Sequence, residues 1–231
     1  MSVLTLLRHG QASLGAVDYD QLSPLGVAQA AATGDYFVER GMEFDRIIHG
    51  PRRRHQQTAA LVTTRLGRHC GVEREAALDE FAEPEQIFAA AEILSSSPTI
   101  SPHGLSFQSA AHALGKHRLR QFEAVVNSWA RGRATLAGQP SNSEFVTTVS
   151  GWMLSTIVKQ PPNSRILAIT SAGVIAACVC RLLKLQDDQL AELMTVIRNC
   201  SVTEIVFSPT RRNLLSFNNT AHLSTLLISS I

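Results

Sequence analysis

A chain of 231 residues with 45 % hydrophobic and 17 % charged side chains can fill a core, which argues against disorder and fits one domain or a core with a smaller insertion. Its formal charge of +2 removes any general argument for nucleic acid or membrane binding, so an anion preference has to come from local clustering. Cys70, Cys178, Cys180 and Cys200 form no CxxC pair and have no histidine at zinc-ligand spacing, so a reduced, cytoplasmic protein is expected, with no metal and no cofactor. The N-terminus shows no basic region followed by a long apolar run, and no apolar stretch approaches the ~18 residues of a membrane span.

Val3 to Leu7 is a short apolar run that predicts a buried strand. It ends in Arg8-His9-Gly10: a fixed cation, a potential nucleophile and a residue without a Cβ. An imidazole nitrogen can attack phosphorus and hold a phosphoryl group covalently. A neighbouring guanidinium can bond two phosphoryl oxygens at once, and glycine lets a phosphate approach the backbone closely. Ser23-Pro24 reads as an N-cap with proline at the first helical position. Leu25, Ala28, Ala32 and Tyr36 then recur at helical spacing until Gly41 stops the helix. The connection before it is long, and long connections are often functional, so Gln11, Ser13 and Tyr19 are candidate substrate contacts.

Arg46 to His49 is a second strand candidate, and Gly50-Pro51 opens a helix with Ala59, Val62 and Leu66 on its buried stripe. Arg52, Arg53 and Arg54 lie in its first turn, where backbone N–H groups and the helix dipole suit a phosphate. Arg52 and Arg53 read as a solvated basic helix start, and His55 as a surface or packing residue. Glu83 to Gly115 reads as helical pieces separated by Ser95-Ser96-Ser97-Pro98 and Ser101-Pro102-His103-Gly104. Helices are expected over His117–Arg131, Glu144–Val158, Gly173–Leu185 and Asp187–Val196. Strands are expected over Arg165–Thr170, Val202–Phe207 and Asn213–Phe217.

Alternating strands and helices predict an α/β fold: a three-layer arrangement with a mostly parallel central sheet flanked by helices. Residues 1–231 are expected to form a single domain, with a helical insertion at about 83–139. In such sheets ligands bind beyond the carboxyl ends of the strands. Arg8-His9-Gly10, His49-Gly50-Pro51 and Thr170-Ser171-Ala172-Gly173 all stand at such ends.

Two of these segments, in this order, resemble the histidine phosphatase superfamily, the phosphoglycerate-mutase-like group. That family carries an Arg-His-Gly after the first strand and a Ser-Pro-x-x-Arg-x-x-Gln-Thr-Ala element opening the second helix. Arg54-His55-Gln56-Gln57-Thr58-Ala59 is similar to the second element, with Gly50 in place of the serine. The segment from Gln11 to Gly26 also has the look of bacterial members. The resemblance implies that His9 becomes phosphorylated and that Arg8 and Arg54 clamp the phosphoryl oxygens. Leu78-Asp79-Glu80-Phe81 resembles the segment with the family's general acid, which points to Glu80, with Glu83 as the fallback. For that role burial or a neighbouring carboxylate has to raise the carboxyl pKa.

One departure stands out. The family's second histidine follows the third core strand in a Ser-His-Gly-Gly-like turn, and the resemblance places Ser171 there. Serine donates one neutral hydrogen bond and supplies no charge. Losing that donor is on the scale of ~10²-fold in rate. The Ala172 amide, at the start of the following helix, can still face a phosphate. His222 is a candidate to compensate, with a structural role as its other reading, and His49 is a further candidate. The leading expectation is a phosphomonoester hydrolase, weak or specialised, acting on a small phosphorylated substrate. A non-catalytic protein binding a phospho-ligand or phosphate on the same fold is the alternative. A phosphoglycerate mutase ranks below both, because it needs a closed, fully charged pocket. Leu226-Leu227-Ile228 packs either on the core or on a second subunit, which leaves a homodimer open.

Overall fold

The structure is a computed structural model, and it describes residues 1–13, 18–67, 71–83, 86–87, 89–91, 120–186, 188–208 and 210–230. The chain order is β1 (Ser2–Arg8), α1 (Pro24–Glu39), β2 (Arg46–His49), α2 (Arg53–Leu66) and β3 (Val72–Arg74), then α3 (Asn142–Val158), β4 (Arg165–Thr170), α4 (Ala172–Leu183), α5 (Asp188–Val196), β5 (Val202–Phe207) and β6 (Arg212–Asn219). Residues 86–87, 89–91 and 120–130 are also helical. The rest of the expected insertion between 92 and 119, with both of its breakers, lies outside the described residues.

The strands form one six-stranded sheet in the order β3-β2-β4-β1-β5-β6. β1, β2, β3 and β4 run parallel; β5 runs antiparallel to both of its neighbours, β1 and β6. The sheet is therefore mostly parallel, as the alternation of elements predicts. β3 was not anticipated: its three residues are all exposed, so it has no apolar run to read. It is held at the edge by pairing with β2 and by Arg46, which reaches Glu73 through Nε (2.9 Å) and Nη2 (2.6 Å).

Side-chain alternation divides the strands between two cores. Leu7, Ile47, Leu167 and Ile169 pack with Ala30 and Phe37 of α1 and Ala59 and Val62 of α2. Leu4, Leu6, Ile48, Ile166 and Ala168 face the other way, onto α3, α4, α5 and Trp129. Both faces are covered, giving three layers. Local signals fix the helix ends. Ser23 accepts from Gly26 N (3.1 Å) ahead of Pro24, and Ser141 and Glu144 close a capping box on α3.

β1 and β4 are adjacent and parallel, but the helices that follow them cover opposite faces. Their carboxyl ends therefore open a crevice. The ladder continues into it: His9 N donates to Thr170 O (2.9 Å) and Gly50 N to Ile169 O (3.0 Å). Gly10 is needed here for packing, since a Cβ on it would meet Gly26 O at 2.4 Å. Gly26→Ala is the complementary test, because a Cβ there would meet Gln11 O at 2.1 Å. Both contacts are backbone, so the start of α1 has to move, at about 1–3 kcal/mol. Calorimetry should show a Tm lower by about 2–4 °C per kcal/mol; an unchanged Tm would mean that α1 shifts without cost.

Candidate active site

His9 follows the last residue of β1 and is 5 % exposed. Its Nδ1 lies 2.7 Å from the Gly10 carbonyl. A carbonyl only accepts, so Nδ1 carries the proton and Nε2 keeps its lone pair. Arg54 Nε donates to that lone pair at 3.3 Å. Burial pushes the His9 pKa well below 6.5, and the cations Arg54 and Arg8 and the neighbouring His55 push it further. The ring is thus a neutral base with one nitrogen presented to the crevice. Gly10 N is bound by Thr58 Oγ1 (3.1 Å), which in turn donates to Arg54 O (2.8 Å) and ties the end of β1 to α2.

Arg54 is 2 % exposed, and a buried cation requires partners. Its Nη1 donates to Asp20 Oδ1 at 2.7 Å and lies 3.3 Å from Glu83 Oε2, while the Tyr19 ring sits 5.6 Å from Cζ. Burial lowers the Arg54 pKa, but Glu83, Tyr19 and Asp20 outweigh it and the net shift is upward. Asp20 Oδ2 also accepts from Arg53 N (2.7 Å). Asp20 went unnoticed in the sequence because an acidic residue in a loop carries no signal by itself. Arg52 corrects the expectation of a solvated helix start: it is bridged to Asp79 and Glu83. Arg53, half exposed and paired with Asp18, does lie on the surface.

Arg8 closes β1 and its Nη1 donates to Ile197 O and, at 2.8 Å, to Ser230 O. Burial lowers its pKa to about 10, with Glu80 acting against the shift, so it remains a cation at neutral pH. Glu80 follows the turn Ala76–Leu78, which Thr170 Oγ1 anchors by donating to Leu78 O (2.8 Å). The Glu80 carboxylate accepts from Gly173 N (3.2 Å) and Phe81 N (3.1 Å). Gly173 has no room for a Cβ, which would lie 2.1 Å from Glu80 Oε1. Burial raises the Glu80 pKa, and the two backbone donors only partly oppose it. Glu83 is instead tied to Arg52 and Arg54.

Ser171 and His55 are both fully buried, and Ser171 Oγ lies 2.7 Å from His55 Nε2. The His55 ring centroid is 5.4 Å from that of His9. His55 therefore lies inside the cluster: of the two roles expected from its place beside Arg54, surface or packing, burial excludes the surface one. Burial holds its pKa well below 6.5, with Arg54, Arg52 and His49 adding to the effect. Ala172 opens α4, in the turn whose amides lack intrahelical acceptors. Gln11 is turned toward α1: its N donates to Gln29 Oε1 (2.8 Å) and its Oε1 accepts from Ser23 Oγ (2.9 Å). Ser13 N donates to Gln21 O (2.8 Å). His222 stacks on Tyr36 at 4.8 Å and pairs with Thr33 Oγ1 at 3.1 Å, the structural role of its two readings. Asn199, also missed in the sequence, donates to His9 O (3.3 Å). Among the described residues no group of three or more His, Cys, Asp or Glu is placed to hold a metal ion. No helix among them is long and apolar enough to cross a membrane.

Fold and geometry together define an α/β protein with an arginine–histidine cluster in the crevice of a mostly parallel sheet. The sequence matches the model of the Histidine phosphatase superfamily (branch 1) over residues 4–92 and 108–220, and the chain belongs to that superfamily. Solved structures share the fold. A mycobacterial glucosyl-3-phosphoglycerate phosphatase, solved with inorganic phosphate, is 22 % identical with a TM-score of 0.62, covering 96 % of this chain and 99 % of its own. A phosphoserine phosphatase from Entamoeba histolytica, solved with 3-phosphoglyceric acid, is 19 % identical with a TM-score of 0.63, covering 97 % of this chain and 100 % of its own. None of the curated proteins matches the chain.

The two depressed histidines set a pH dependence. The unfolded chain protonates both rings near pH 6.5, whereas the fold keeps them neutral. Stability is then fully present above that pH and is lost as pH falls below it, by up to about 1.4 kcal/mol per pH unit for each ring. Glu80, raised in the fold, opposes this at more acid pH, because its contribution is lost as pH rises. Thermal melts from pH 8 to pH 5 should show a falling Tm. A flat profile would mean that the rings are charged in the native state.

Proposed function

We propose that this protein is a phosphomonoester hydrolase that works through a phosphohistidine on His9. The observation that carries this reading is the His9 ring itself. Its Nδ1 is tied to the Gly10 carbonyl and its unprotonated Nε2 is met by the buried Arg54 guanidinium. In the first step His9 Nε2 attacks phosphorus, the ester P–O bond breaks, and the leaving oxygen takes a proton from the Glu80 carboxylic acid. In the second, Glu80 carboxylate accepts a proton from water as its oxygen bonds to phosphorus, and the P–N bond breaks to restore neutral His9 and release phosphate. Arg54 and Arg8 spread the charge that builds on the equatorial oxygens. Glu80 serves as the acid ahead of Glu83, because its carboxyl is raised while Glu83 is bound by two arginines.

The substrate class is a small phosphorylated molecule. Phosphatases of a phosphorylated amino acid and of a glycosylated phosphoglycerate share the fold, which supports that choice. Ser171, carrying no charge where the family places a histidine, favours a slow or specialised enzyme. The same substitution favours, as a second reading, a protein that binds a phosphorylated ligand without turnover.

Hydrolysis of an aryl phosphate by purified wild type and His9→Ala tests the reading. Turnover should vanish in His9→Ala and fall about 10²–10³-fold in Arg54→Ala. Equal rates in wild type and His9→Ala would sink the phosphohistidine mechanism. If phosphate then still raised the Tm of both, the binding reading would take its place.

Glu80→Gln separates the acid from the clamp. An aryloxide leaves without much help, whereas an alkoxide needs its proton in the transition state. The variant should lose far more activity on an alkyl phosphate than on an aryl phosphate. In wild type, alkyl phosphate turnover should decline as pH rises through the elevated Glu80 pKa, and that limb should be absent in the variant. Equal losses on both substrates would assign the acid elsewhere.

A further inference from the structure

His55 is a buried titratable group of the cluster that the reaction above leaves without a task. It sits on α2 directly after Arg54, its ring 5.4 Å from the His9 ring. Its Nε2 meets Ser171 Oγ at 2.7 Å. Ser171 is the N-cap residue of α4, yet its side chain makes no cap hydrogen bond. A serine at that position ordinarily bonds an amide of the first turn. Here the hydroxyl turns to the imidazole instead. On its other side the ring packs against Gly50, where the family pattern has serine: a Cβ there would lie 2.3 Å from His55 Nδ1 and 2.4 Å from the Leu78 carbonyl oxygen.

We infer that His55 and Ser171 together replace the missing second histidine, with Ser171 Oγ donating to the phosphoryl oxygen and His55 positioning that hydroxyl from α2. The inference rests on the phosphatase reading and on Ser171 as the second-histidine position. A hydroxyl has one proton and two lone pairs. In the Nε2–H tautomer the imidazole donates to one lone pair of Ser171 Oγ, which leaves the Ser171 proton free to be donated to an anion in the crevice. The imidazole has thus moved from the helix that follows β4 to the helix that follows β2, and it reaches the same place through an intervening hydroxyl. His55 acts through Ser171 and is a positioning residue; Ser171 is the group that touches substrate.

A buried pair that merely satisfied itself would behave differently. Its loss would lower stability and leave the chemistry of the folded protein alone. The test is a reciprocal exchange: His55→Ala, Ser171→His, the double variant carrying both, and His55→Leu, which fills the space without a polar atom. Steady-state kinetics on an aryl phosphate and thermal melts are recorded for each. Both single variants and His55→Leu should lose about 10²-fold in kcat, with KM changed by less than tenfold. Ser171→His fails because two imidazoles then compete for one space. The double variant, which returns a single imidazole to α4, should recover at least tenfold in kcat over either single variant.

Wild-type kcat in a folded His55→Leu, or recovery below tenfold in the double variant, overturns the inference. Turnover that survives His9→Ala would instead remove the phosphatase reading. Titration with inorganic phosphate, followed by the shift in Tm, then decides. Weaker phosphate binding in His55→Leu with recovery in the double variant supports the pair, and unchanged binding in His55→Leu overturns it.

Discussion

Burial of the Arg54 guanidinium is the constraint on which the rest of the site depends. An ion of this kind costs several kcal/mol to remove from water, and only well-placed partners offset that cost. The partners come from three directions. Asp20 arrives from the loop between β1 and α1, Glu83 from the segment beyond the Ala76–Leu78 turn, and the lone pair of His9 from the end of β1. Each is thereby fixed relative to the others. Asp20 also binds the Arg53 amide, and Gln57 Oε1 accepts from Leu22 N (2.7 Å), so α2 holds the approach to α1 at Asp20 and Leu22. Arg52, bridged to Asp79 and Glu83, completes a charge network that a solvated helix start would not form.

The sheet makes that clustering affordable in conformational terms. His9 and Ser171 follow adjacent parallel strands in register, Arg8 opposite Thr170. Their backbones are set by ladder hydrogen bonds before any side chain is considered, and sites on strand ends are held more tightly than sites on free loops. The contacts between Gly10 and Gly26 and between Gly173 and Glu80 bring segments closer than any side chain would permit. Glycine at these points sets the dimensions of the crevice.

Much of this was legible in the sequence. Apolar runs ending in Arg8 and Thr170 marked the strands that bound the crevice, and Ser23-Pro24 marked the start of α1. The first-strand histidine and the arginine of α2 were legible because their types and order are unusual. Other features lacked a local signal. β3 has no buried residue to generate a pattern. Asp20 gains its meaning only from a helix more than 30 residues away, to which Arg54 ties it. The surface reading of His55 fails although neighbours on a helix diverge in direction, which makes a residue next to the inward Arg54 look outward. At the first turn of α2, however, both directions lead inward, one to His9 and the other to Ser171.

The electrostatic consequence is specific. With His9 and His55 both held neutral, the cations that act on both His9 and Glu80 are Arg8 and Arg54. A guanidinium stays charged across the working pH range, whereas an imidazole beside two cations does not. In the proposed reaction this keeps the nucleophile unprotonated, which attack requires, but leaves Ser171 able to offer only a neutral donor. A bound phosphate dianion changes the balance, because its charge favours protonation of nearby groups. In the proposed reaction His9 has to stay unprotonated against that pull, since its lone pair must attack, and its burial beside Arg54 and Arg8 is what opposes the dianion.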